Sequence, residues 1–472
     1  MRFGVHALVV VACVAVLIPM CGFAPVPSQK IGTDLIVTAA PVYEPLAALR
    51  GEERFPQGAQ LLLVHDGDAE PLVGGFAAMA DANVSFDAKT VLFSGKKDAA
   101  DAWQIWELTL ADRSVRQETK GATDAIRPLY LPAGRFIFAQ RASSGFQLVS
   151  GRIEGSLAWS EFEPKEMPAA VPLTYMNANA IPSDVLADGR ILFESGFPLG
   201  SGATPELFLV YADGSGVESY RCDHPTRVAS ARWGGKQLAS GDVVFTHGAS
   251  LARFTSPLAH EERIAAPQAD YAGAIAEMSD GNWLVSARIG ANTEHAIRRW
   301  RPGSAAMETV LAEKGEELVE PVLIASRPRP HRHPSAIHPW DYANLLALDA
   351  RLSRDGALKG SPVAVRMEMQ DANGRVTDMG TAPVAQDGSF FVKAPGDRPI
   401  RFALLDTKGE VLRQEHGWFW ARGGEQRYCV GCHTGPERAP ENRVPAVLLR
   451  TTTPADLTAP AKATLPATAG GR

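Results

Sequence analysis

Ser85-Phe86-Asp87-Ala88-Lys89-Thr90-Val91-Leu92-Phe93 sets the pattern on which the rest of the chain is read: a turn carrying Asp, then a short apolar run. The same order returns at Leu131-Pro132-Ala133-Gly134-Arg135-Phe136-Ile137-Phe138 and at Leu186-Ala187-Asp188-Gly189-Arg190-Ile191-Leu192-Phe193. It recurs again at Ala239-Ser240-Gly241-Asp242-Val243-Val244-Phe245 and Met278-Ser279-Asp280-Gly281-Asn282-Trp283-Leu284-Val285. The apolar runs open at 91, 136, 191, 243 and 283, in steps of 45, 55, 52 and 40 residues. A period of that length, with several short strands per copy, is what propeller blades require. One blade cannot bury its faces alone, so neighbours pack radially until a ring closes. The pattern predicts five to seven blades over residues 35–325, with residues 61–64 as a further blade or as the closing strand. A series of β-sandwiches with coincidental spacing is the competing reading.

Outside the repeats the chain changes character. Arg327-Pro328-Arg329-Pro330-His331-Arg332-His333-Pro334 is proline-dense and basic, so residues 326–341 read as a linker or an extended crossing strand. Strand patterns return at 344–348, 363–369, 390–394 and 400–405, with Asp371-Ala372-Asn373-Gly374 as a hairpin turn. Residues 342–449 therefore read as a small antiparallel, sandwich-like β-domain. Residues 450–472, mostly Ala, Thr and Pro, predict a disordered tail. At the other end, Met1-Arg2 is followed by no charged side chain until Lys30, and residues 7–20 are almost wholly apolar. Residues 1–28 are thus an expected signal peptide or, if uncleaved, an N-terminal membrane anchor. The expected fold class is all-β, a propeller followed by a sandwich-like domain. The first copy, running on into Trp103-Gln104-Ile105-Trp106-Glu107-Leu108, resembles a blade of the TolB or WD40-like propellers.

A formal net charge of −6 over 472 residues gives no footprint for nucleic acid and no polybasic membrane patch. Of five cysteines, Cys13 and Cys21 lie in the export segment, Cys222 stands alone, and Cys429 and Cys432 form a pair. That is no disulfide scaffold. No Ser-His-Asp arrangement, phosphate loop or H-E-x-x-H motif stands out. The Asp-Gly pairs belong to blade turns, a loop type that sometimes binds calcium.

Cys429-Val430-Gly431-Cys432-His433 is the C-x-x-C-H pattern of covalent c-type haem attachment. Two thiols at this spacing add to the two vinyl groups of a porphyrin, and the adjacent imidazole meets the iron. With five Cys and eleven His in the chain, chance supplies such a pentapeptide roughly once in a thousand sequences. The rival readings are a redox dithiol, which wants a βαβ setting, and a zinc site, which needs a further ligand such as Cys222, His224 or His416. Cys429, Cys432 and His433 are the expected haem-binding residues, with His433 as axial iron ligand. His416, Trp418, Trp420 and Tyr428 are candidates for the sixth ligand or the pocket, with ordinary core packing as the alternative for the aromatics. His331, His333, His338, Met367, Met369 and Met379 are further sixth-ligand candidates. Arg422, Arg427, Arg438 and Arg443 are candidate partners for the propionates.

Gln386-Asp387-Gly388-Ser389-Phe390-Phe391-Val392, Pro399-Ile400-Arg401-Phe402, Trp418-Phe419-Trp420, Arg427-Tyr428 through the haem motif, and Ala439-Pro440-Glu441-Asn442-Arg443-Val444-Pro445 together resemble the middle domain of the hydrazine synthase alpha subunit. The resemblance implies a propeller ahead of a haem c-bearing β-domain. It further implies a second haem in a later domain, for which this sequence carries no second motif. In the synthases the motif histidine can go to zinc while a tyrosine four residues on holds the iron. Here that position is Glu437, so iron ligation by His433 is the simpler expectation. Cys222, beside Asp223 and His224, is either a relic of the zinc arrangement or a buried free cysteine. The leading functional expectation is an exported, periplasmic or otherwise extracytoplasmic monohaem protein passing electrons to a redox partner docked on the propeller. The alternatives are a haem enzyme or sensor with an open iron site for a small nitrogen or oxygen species, and a propeller interaction module with a structural haem.

Overall fold

The computed structural model describes residues 32–154, 170–196, 204–220, 230–333, 335–353, 356–415, 417–431 and 441–461. The export segment, Cys222, His224, His416, Cys432, His433, Glu437 and Arg438 lie outside them.

The repeats build six sheets around one axis. The apolar runs at 91, 136, 191, 243 and 283 are the second strand of five successive blades, Thr90–Lys96, Arg135–Ala142, Ile191–Ser195, Val243–His247 and Trp283–Arg288. The remaining blade joins both ends of the ring: Leu35–Ala40, Gln60–His65 and Asp68–Pro71 come from the start, and the innermost strand is Glu317–Leu323. Residues 61–64 are thus the third strand of that blade, and Glu317–Leu323 closes the ring. Each seam between blades holds its own apolar cluster, such as Phe93, Leu108 and Val84 between the first two. Leu192, Phe245 and Phe254 fill the seam between the fourth and fifth.

Innermost strands are kinked. Register shifts interrupt Ala78–Val84, Ala125–Leu131, Ala180–Val185 and Arg232–Gln237, and also the pairing of Leu35–Ala40 with Glu317–Leu323. At these bulges Asp81, Arg127 and Glu320 take φ of 62°, 56° and 57°, a left-handed conformation uncommon outside glycine. The bulges tie neighbouring blades together: Asp81 N–H donates to Glu320 (3.2 Å), and Arg127 N–H to Asp81 (3.1 Å). Residues 41–59, between the first and second strands of the sequence, fold into the ring's mouth. There Tyr43, Leu49 and Phe55 pack on the inner strands. Arg54 comes with them and ion-pairs with Asp81 and, at 2.6 Å, with Glu320.

Residues 324–333 run as a strap over the turns of one propeller face. Arg327 N–H donates to Phe86 C=O (3.0 Å) with its guanidinium over the Phe86 ring, and His331 N–H donates to Ala187 C=O (2.8 Å). His333 stacks on Tyr211 at 4.1 Å. The proline-rich segment thus crosses the propeller face in extended form, without a strand assignment.

The C-terminal domain is a sandwich of two four-stranded sheets. One is antiparallel: Val376–Pro383, Ala364–Gln370, Ile400–Leu405 and Val411–Gln414. The other departs from the antiparallel expectation, because Gln426–Cys429 and Ala455–Asp456 both join in parallel beside Tyr342–Ala347 and Phe390–Pro395. The expected disordered tail is also corrected in part. Ala455–Asp456 pairs with Val392 and Lys393, and Leu457 is buried in the core. One apolar side chain and two backbone pairings suffice where composition alone predicts nothing. Asp387 staples this last stretch to the sandwich, accepting from Ser389, from Ala446 N–H (2.8 Å) and from Arg443. Burial would raise the Asp387 carboxyl, yet these donors outweigh it and hold the group well below the ordinary carboxylate range. A depressed folded pKa stabilises above the unfolded value and is lost as pH falls beneath it. Acidification below about pH 4 is therefore expected to free residues 441–461 ahead of the propeller, read by limited proteolysis. In Asp387→Asn the same segment should be cut at neutral pH.

The two domains are bolted together. The Trp420 ring is wholly buried among Leu131, Phe193 and Val210 of the third and fourth blades, and its indole N–H donates to Gly214 C=O (3.2 Å). Arg422 donates to Asp213 C=O (2.7 Å), Asn177 to Gln370 (3.0 Å), and Gly216 N–H to Glu425 (3.2 Å). Removing so large a buried ring typically costs about 3–5 kcal/mol. Trp420→Ala is expected to split one thermal unfolding transition into two, seen by calorimetry.

Candidate haem site

Gln426–Cys429 is the edge strand of the mixed sheet, in parallel register with Asn344 to Ala347. The register continues past its end, since Leu348 N–H donates to Cys429 C=O (2.8 Å) and Asp349 N–H to Val430 C=O (3.2 Å). The backbone entering the haem motif is thus fixed by an inner strand. Successive strand residues face opposite ways. Arg427 and Cys429 turn toward the sandwich core, whereas Tyr428 points outward and is 70% exposed.

Cys429 is a free thiol, half-buried against the core cluster. Burial pushes it up to about 11, with Arg427 pulling the other way. Such a cysteine is mainly a thiol at neutral pH, and covalent attachment would add its S–H across a vinyl group to give a thioether. Around it stand Arg427, Glu415 and Glu425. Glu415 accepts from Phe402 N–H (2.8 Å), and burial raises it to about 7. Arg427 donates its Nε to Glu425 (2.8 Å), lies over the Phe419 ring at 5.7 Å, and keeps a buried Nη2 with no partner among the described residues.

The sequence candidates separate here. Trp418 stays half-buried at this edge with Arg401 over its ring at 4.4 Å. Trp420 is committed to the propeller seam, and Tyr428 faces away from the thiol. His331 and His333 lie on the propeller strap. His338 stacks on Trp340 at 4.5 Å. Met367 and Met379 are buried in the sandwich core, and Met369 packs at its margin. Among the described propionate candidates, Arg422 is spent on the domain interface and Arg443 on Asp387, which leaves Arg427; the fourth candidate, Arg438, lies outside the described residues. Glu415 and Glu425 were missed, because no spacing rule marks an acid beside a haem motif. Among the described residues no three His, Cys, Asp or Glu gather as a metal site. Nor is any helix there long and apolar enough to cross a membrane.

The described part of the site suits a haem: a free thiol on a fixed strand, Phe419 packed on the same core, and an arginine with an unpaired buried donor, while Cys432 and His433 lie outside the described residues. Residues 350–434 match the family model of the hydrazine synthase alpha subunit middle domain. No curated protein matches the sequence. Among solved structures, hydrazine synthase from Kuenenia stuttgartiensis superposes with a TM-score of 0.75 at 18% identity, over 92% of this chain and 75% of that one. TolB from Acinetobacter baumannii matches at a TM-score of 0.45 and 11% identity, over 63% of this chain and 67% of its own. Residues 350–434 thus match the hydrazine synthase alpha middle domain, and they follow a six-bladed propeller in a fold similar to that of the Kuenenia stuttgartiensis enzyme.

Proposed function

We propose that the protein is an exported monohaem c-type protein that exchanges electrons with a partner docked on its propeller. The observation that carries this reading is the position of Cys429. The first residue of the C-x-x-C-H motif is a free, half-buried thiol on a strand whose register is fixed by its inner neighbour. A bound haem would supply one-electron redox chemistry tuned by its ligands and surroundings. The chain's own residues hold it: Cys429 and Cys432 tether the ring, His433 offers an imidazole to the iron, and Phe419 and Trp418 limit water at its edge. The apolar N-terminal segment and the motif both point to an extracytoplasmic location, where covalent attachment takes place.

A second reading is favoured by one observation, the match of residues 350–434 to a synthase domain. On that reading the iron keeps an open position and acts on a small nitrogen or oxygen compound. Absorption spectra of protein made with the c-type maturation machinery, oxidised, reduced and exposed to carbon monoxide, decide between the two. Sharp reduced bands that ignore carbon monoxide support electron transfer. A high-spin spectrum shifted by carbon monoxide supports the open site, and absence of covalent haem defeats both.

A further inference from the structure

Among the described residues, the edge of the sandwich that carries the haem motif contains a buried donor that the fold itself does not use. Arg427 sits two residues before Cys429 on the same face of the strand, about 7 Å along it. Its side chain is 13% exposed. Nε is taken by Glu425, and Nη2 is buried without a partner among the described residues. An orphaned buried donor is rare in a folded protein and asks for an acceptor.

Glu425 explains how the arginine is held. One carboxylate oxygen accepts both Arg427 Nε (2.8 Å) and Gly216 N–H of the fourth blade (3.2 Å), and the other accepts Arg422 N–H (2.8 Å). The guanidinium is therefore braced against the propeller through a single buried acid. Phe419 supports its plane from one side. What remains unpaired is the Nη2 donor of a planar guanidinium on the strand that carries the haem-tethering cysteine, a group that suits a carboxylate. Glu415, near the same thiol, already accepts from Phe402 N–H and faces Arg401 as well.

We propose that Arg427 binds a haem propionate and raises the reduction potential of the iron, and that Glu425 positions it from the propeller. This rests on the haem reading above. The charge argument is direct. Reduction adds an electron at the iron, so a fixed cation nearby favours the ferrous state, and its loss favours the ferric.

The test uses the full chain matured with haem, with covalent haem content, midpoint potential and the propionate bending band in resonance Raman as readouts. Arg427→Gln is expected to keep its covalent haem while the reduction equilibrium falls about tenfold, 59 mV for one electron, and the propionate band moves. Arg427→Lys keeps the charge but loses the fork, so its potential should stay near wild type while the band still moves. Should the glutamine variant fail to fold, the lysine variant carries the test through its band. Glu425→Gln should move the same band with the arginine intact, and an unmoved band there removes the positioning role. Haem-loaded Arg427→Gln with wild-type potential and band overturns the proposal. Wild-type protein without covalent haem overturns the reading beneath it instead.

Discussion

Asp81→Ala should destabilise the propeller by about 3–5 kcal/mol, the usual consequence of stripping one partner from a buried ion cluster. Asp81 is buried, accepts from Ser94 (2.7 Å) and Arg127 N–H, and ion-pairs with Arg54 and Arg127. Burial would raise its carboxyl, but Arg54 and Arg127 pull it below the ordinary value. Without it both guanidiniums keep Glu320 as their ion-pair partner, with the buried Glu194 nearby, beneath the cover formed by residues 41–59. Alanine at φ 62° adds backbone strain to the loss. Asn at this site keeps the shape and the acceptor but not the charge, so it should fall between alanine and wild type. Urea unfolding followed by tryptophan fluorescence measures all three. An alanine variant within about 0.5 kcal/mol of wild type would mean that the cluster is hydrated and contributes little.

The second large effect is on the cofactor. Replacing Cys429 and Cys432 together by alanine should abolish covalent haem while the sandwich still folds, since residue 429 is half-buried beside Ala347 and alanine leaves no clash. The Cys429→Ala single variant keeps one thiol and should retain only a minor covalent fraction. Denaturing gels stained for haem, with intact-mass spectrometry, give the answer. If the double variant instead loses bound zinc with no haem in the parent, the motif serves a metal.

The second strand of five of the six blades was legible because it follows an Asp or Gly turn and is packed on both faces, giving runs such as Val91-Leu92-Phe93 and Ile191-Leu192-Phe193. Inner strands were not, because Asp81, Arg127 and Glu320 place charge where an alternating pattern wants an apolar side chain. The closing blade was hidden for another reason, its strands being drawn from opposite ends of the propeller sequence. In the sandwich, Val376–Pro383 carries only Met379 and Ala382 as buried side chains, too few to read as a strand. The haem motif is local and needed five residues. Its surroundings are not local: Trp418-Phe419-Trp420 looks like one aromatic cover, yet Phe419 bridges to Ile400 in the sandwich and Trp420 enters the propeller.

Ring closure by Glu317–Leu323 also dictates a folding order. Leu35 waits for Leu323 before its inward-facing backbone edge is paired, so the first blade cannot finish until the entire propeller has emerged. Contacts so distant in sequence make for slow folding, and an open strand edge invites pairing with another chain meanwhile. A truncation ending ahead of residue 317 should thus aggregate rather than yield a smaller propeller. A propeller of residues 32–323 permuted to begin at Glu317, with Leu323 running on into the first blade, would make the closing contact local and should fold faster.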